Sequence, residues 1–110
     1  MKVDMATKKP KKKLERAGWK VGTVQDLLGL TDEEVAYIEL KLALSRALRQ
    51  RRQKHKITQV QLAKKIGSSQ SRVAKMEAGD PSVSIDLLVR SLIALGATPE
   101  AVARSIRSAE

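Results

Sequence analysis

The stretch ITQVQLAKKIGSSQSRVAKMEAGDPSVSIDLLVRSLIALG, residues 57–96, decides the fold. Thr58 followed by Gln61 is a capping box, and Leu62, Ala63 and Ile66 give the helix it opens one apolar side. Gly67 stops that helix after about eight residues. Ser68 and Ser69 supply the next cap, and the following helix runs through Val73, Met76 and Glu77 to Ala78, where Gly79-Asp80-Pro81 forbids continuation. Ser84 then caps a helix with Ile85, Leu88, Val89, Leu92 and Leu95 inward, ended by Gly96. Thr98, with Pro99 at its favoured first position, opens a last helix with Val102 and Ile106 inward.

Upstream of this stretch the same grammar continues. Thr31 and Glu34 form another capping box, and Asp32, Glu33 and Glu34 occupy the first turn, where acids meet the positive end of the helix dipole. Val35, Ile38 and Leu42, beside a second stripe of Leu40, Leu44 and Leu48, predict a long helix to about Gln53. Thr23 with Asp26 predicts a short capped turn closed by Gly29. Residues 1–18 are Lys-rich and have little to bury, so a disordered basic tail is expected there. No run has strand periodicity, and the expected class is all-α.

Composition narrows the function. The 110 residues carry 22 Lys and Arg against 12 Asp and Glu, a formal charge of +10, which calls for a polyanionic partner, nucleic acid or an acidic membrane surface. The charge is uneven: residues 1–20 and 51–80 each carry +6, residues 21–50 carry −2, and residues 81–110 are neutral. From Leu40 to Met76 there is no acid and there are eleven bases. The run KKPKKK at residues 8–13 is read as a solvated tail, whereas the 40–76 bases fall inside patterned helices. The aromatics are Trp19 and Tyr37, too few for modules that stack bases on aromatic platforms. No cysteine is present, which excludes disulfides, thiolate zinc sites and thiol catalysis. His55 sits alone among bases, no metal-ligand cluster or phosphate-binding glycine loop appears, and the reading is of no enzyme, no catalytic residue, no metal and no cofactor. The longest uncharged run is far below the roughly 18 residues of a membrane span, and the N-terminus lacks the apolar core of a signal peptide; a cytoplasmic, nucleoid-associated protein without membrane contact is expected.

Two short helices joined by Gly-Ser-Ser, with Ala63 small enough for a close crossing, match a helix-turn-helix. Thr58-Gln59, Leu62-Ala63, Gly67, Ser69-Gln70-Ser71 and Glu77-Ala78-Gly79 together closely resemble the XRE family of lambda-repressor-like DNA-binding domains. The resemblance implies a compact five-helix domain over residues 19–110, with residues 19–30 as an N-terminal extension. The segment 18–52 also resembles the extension of the HigA-type antitoxin subgroup. It departs from that pattern in its positive N-terminal tail, since such antitoxins usually meet their toxin through an acidic or neutral surface.

On a helical wheel Val73, Met76 and Glu77 face inward, while Ser71, Ala74 and Lys75 point the opposite way, flanked by Gln70 and Arg72. These five are the expected base-reading residues, because Gln matches the adenine edge, Arg the guanine edge, and Ser either. The competing reading is that Gln70 and Ser71 merely suit a helix start. Gln59 resembles the family's phosphate-binding Gln, which there also buttresses the Gln70 position; Thr58, Lys56 and Lys64 complete the expected phosphate contacts. The resemblance pairs Glu77 with Arg52 structurally, as an inward carboxylate requires. Trp19 reads as an anchor of the extension, or as an exposed contact for a partner protein.

The expected function is a sequence-specific, dimeric transcriptional regulator on double-stranded operator DNA, and the antitoxin and autorepressor of an operon with a ribonuclease-type toxin. The alternatives are a stand-alone XRE regulator and a protein that binds nucleic acid by charge alone.

Overall fold

Helix-starting caps and glycine stops recur along the sequence, and the computed structural model, which describes residues 21–107, turns most of them into boundaries. It contains α1 (Val21–Leu28), α2 (Asp32–Lys54), α3 (Gln59–Ile66), α4 (Gln70–Ala78), α5 (Ile85–Ala94) and α6 (Pro99–Arg107). The protein is all-α. The expectations for the 1–18 tail and for Trp19 lie outside the described residues. Among the described residues no helix is long and apolar enough to cross a membrane. They form two compact units, one ending at Leu40 and one beginning at Lys41.

In the first unit, Gly29 takes φ +68° and ends α1, and the amide of Leu30 returns to the carbonyl of Gln25 at 3.0 Å. The Thr31 and Glu34 capping box is present in both directions, at 3.1 and 2.7 Å. Gln25 Nε2 donates to Asp32 Oδ1 at 2.8 Å, tying α1 to the start of α2. One expectation is corrected: Thr23 lies inside α1, not at its cap, because the helix already includes Val21. A Thr and an Asp three residues apart also occur within a helix, and spacing alone does not tell the two apart. Val35 is buried, while Tyr37 and Ile38 remain exposed.

The second unit has one core. Leu44 and Leu48 of α2 meet Leu62 and Ala63 of α3, Val73 and Met76 of α4, Val83 of the connecting turn, and Leu88, Leu92 and Leu95 of α5. Val102 and Ile106 of α6 pack against it half-buried. Lys41 is buried as well, and its ammonium donates to the carbonyl of Pro81 at 2.9 Å. The first base of the acid-free run thus serves the fold. Its stem covers apolar surface while the charged end satisfies a turn carbonyl.

The turn held by Lys41 is built with little freedom. Gly79 has φ +75°, and a Cβ there would lie 2.6 Å from Leu42 Cδ2. Asp80 accepts from the Ser82 hydroxyl at 2.6 Å and from the Ser82 amide at 2.8 Å. These bonds hold the Asp80 carboxyl below its ordinary range, with Lys75 and Lys41 adding attraction. A depressed carboxyl stabilises the turn above the ordinary carboxylate range, and that contribution is lost as pH falls through the folded-state value. Beside the turn, Ser45 Oγ is buried with no hydrogen-bond partner.

Two substitutions at this junction have opposite expected signs. Gly79→Ala forces a left-handed residue with a side chain and lowers the unfolding free energy by about 1–2 kcal/mol. Ser45→Ala removes a buried unsatisfied hydroxyl and leaves stability unchanged or raised by up to about 1 kcal/mol. Urea unfolding of both variants checks this; comparable losses would contradict the geometry.

Candidate nucleic-acid interface

Two glutamines stand at the first positions of two successive helices, and the caps are what bring them there. Thr58 takes an extended backbone and its hydroxyl accepts the amide of Gln61 at 3.1 Å, while Gln61 Oε1 accepts the amide of Thr58 at 2.7 Å. This makes Gln59 the first residue of α3. Gly67, at φ +67°, ends α3, and Ser69 caps α4 by accepting the amide of Arg72 at 3.2 Å, so Gln70 is the first residue of α4. Gln70 Nε2 then donates to Gln59 Oε1 at 2.7 Å.

That contact is the outer end of a longer chain of bonds. Gln59 Nε2 donates to Glu77 Oε1 at 3.1 Å. Arg52 grips the same carboxylate with two donors, Nε to Oε2 and Nη2 to Oε1, and sends Nη1 to the carbonyl of Ile57 at 2.9 Å. The Glu77 side chain is 4% exposed and that of Arg52 13%. The hydrogen bond to Glu77 raises the Arg52 pKa above its ordinary value against the desolvation that would lower it. Arg52 therefore binds the end of α2, the start of α3 and the end of α4 to one carboxylate.

The face of α4 turned from the core is polar. Gln70, Ser71, Arg72 and Lys75 are exposed and Ala74 is half-buried, whereas Val73 and Met76 are buried. Ser71 Oγ lies 3.3 Å from Ser69 Oγ. Gln59 is half-buried between the carboxylate and Gln70, and Thr58 is exposed beside it. Lys64 is not brought to this cluster. It follows Gln59 by five residues, roughly 140° around α3, and lines a shallow groove with His55, Gln61, Lys65 and Leu95.

Lys56 is the unforeseen feature. It ends α2 at φ +57°, the one described non-glycine residue with positive φ, with its amide on the carbonyl of Gln53 at 3.0 Å. A Gly or Asn would have signalled this stop in the sequence; Lys does not. Equally silent was the bond from Gln59 to Glu77, which joins residues 18 positions apart.

A family model described as helix-turn-helix matches residues 48–102, half of the chain. The match starts in α2 and ends in α6, so it covers the whole bond chain from Arg52 to Glu77. No curated protein and no solved structure matches the sequence.

The backbone at Lys56 gives a test of whether this residue is there for the fold. Lys56→Gly relieves the left-handed conformation and raises the unfolding free energy by about 1 kcal/mol. Denaturant titration measures it, and a destabilised variant would show that the Lys56 side chain supports the fold.

Proposed function

The chain belongs to the XRE-type helix-turn-helix family of DNA-binding transcriptional regulators, and from that premise we propose that it reads operator DNA with α4 in the major groove. The observation that carries this reading is the bonded pair Gln59–Gln70 at adjacent helix starts, beside an exposed polar face. Gln70 offers a donor and an acceptor to adenine, Arg72 offers two donors to guanine, and Ser71 and Lys75 reach neighbouring edges around the small Ala74. The backbone grip falls to residues that need no base. Gln59 Nε2 keeps a second N–H, the Thr58 hydroxyl keeps its proton, and Lys56 is an exposed cation two residues before Thr58. Lys64, with Lys65, adds positive charge on the flank.

One recognition helix reads only a few base pairs, so the active species is a homodimer whose two helices stand about one DNA turn apart, about 34–36 Å. The chain further acts as a HigA-type antitoxin that represses its own operon. Supporting this, Leu27 and Leu28 are 82% and 62% exposed, next to exposed Asp26, and Glu33 and Glu34 are exposed on the first turn of α2. Apolar anchors among acids suit a ribonuclease-type toxin, whose RNA-binding surface is basic. Asp32 and Glu34 are partly committed to Gln25 and to the helix cap. Residues 1–18 add salt-sensitive affinity for DNA.

Replacing Gln70 or Arg72 by Ala costs about 1–3 kcal/mol on the operator and little on random DNA, whereas Lys56→Ala weakens both alike. Titration of the two duplexes separates these outcomes, and an unchanged operator-to-random ratio for Gln70→Ala would refute the assignment of α4. For the antitoxin role, the adjacent small gene is expressed with the full chain and with a version lacking residues 1–30. Growth is rescued by the full chain alone. A harmless neighbour, or equal rescue by both, leaves a stand-alone XRE regulator.

A further inference from the structure

An amide side chain has a direction. One end accepts and the other donates, and a base edge distinguishes the two orders. A glutamine on a helix surface turns over freely, which blurs what it presents. The chain of bonds behind Gln70 removes that freedom in steps that begin at Glu77.

A carboxylate accepts and cannot donate. Glu77 Oε1, already gripped by Arg52, therefore admits only the Nε2 end of Gln59, at 3.1 Å; the reversed amide would set two acceptors against each other. With its donor end turned inward, Gln59 presents Oε1 outward. Gln70 must answer with Nε2, which it does at 2.7 Å. What remains on Gln70 is one N–H and an unoccupied Oε1, in a fixed order. Adenine shows an acceptor at N7 beside a donor at N6, the complement of that order.

We infer that Glu77 is a positioning residue for specificity: through Gln59 it sets the direction of the Gln70 amide and with it the base that Gln70 prefers. This rests on the DNA reading proposed above. Arg52 contributes by holding the Glu77 carboxylate in place, since its guanidinium only donates. Glu77 itself, 4% exposed, is too buried to meet a base directly.

The test uses the full chain and duplexes selected by it from a randomised pool, each base pair of the selected site then being exchanged in turn. In Glu77→Gln the relay loses its accept-only origin, and both amide orders become populated. Preference at the base pair facing Gln70 falls at least tenfold, about 1.4 kcal/mol, while preference at the Arg72 position is kept. Gln59→Ala, which leaves the Arg52–Glu77 pair intact, gives the same selective loss and carries the test if Glu77→Gln does not fold. In the DNA-free protein, the side-chain amide signals of Gln59 and Gln70, dispersed in the wild type, collapse towards those of free glutamine in Glu77→Gln. Folded variants that keep the preference at the Gln70 position, or that lose it equally at every position, overturn the inference and leave the DNA reading standing. A wild-type chain that selects no sequence overturns the DNA reading, and the inference with it.

Discussion

A carboxylate buried at the junction of three helices is the constraint around which the second unit is arranged. Glu77 without a partner would cost several kcal/mol, so the positions of Arg52 and Gln59 are not free variables. Arg52 must come from the last turns of α2, which fixes how far that helix runs. Its third donor captures the Ile57 carbonyl, which fixes where the chain turns before α3 begins. A buried ion pair adds little net stability over apolar residues of the same volume. Its effect here is geometric, because α2, α3 and α4 cannot slide past one another without leaving a charge unpaired.

The basic block changes meaning once its members are located. Eleven bases without an intervening acid look like one undifferentiated patch. Lys41 is buried on Pro81 and Arg52 is largely buried on Glu77, so these two belong to the interior. Arg46, Arg49, Lys54, Lys56, Lys64, Lys65, Arg72 and Lys75 are exposed, and Arg51 is half-buried. The demand for an outside counter-charge comes from these, and they spread along α2, α3 and α4 and the turn after α2. Such a distribution gives charge attraction towards a polyanion over a broad surface.

Much of this was legible because local rules carry it. Thr31, Thr58, Ser69, Ser84 and Thr98 cap the helices that follow them, and Gly67 and Gly79 end theirs, since caps and left-handed stops act within four or five residues. The polar face of α4 followed from helical periodicity alone. What escaped depends on distant or backbone partners. Nothing near Lys41 announces that its ammonium meets a carbonyl 40 residues away. Lys56 adopts a glycine-like conformation with no glycine to mark it. Thr23 erred in the other direction, a cap spelled correctly at a place where the helix had already started.

The brevity of α3 and α4, eight and nine residues, carries a consequence of its own. Helices below about 12–15 residues are marginal in water when isolated, so neither persists outside the core that Leu62, Val73 and Met76 enter. The surface that grips DNA therefore has no existence apart from the cooperative unit beneath it. A protease that cuts one loop of that unit therefore removes the surface as a whole and not by degrees.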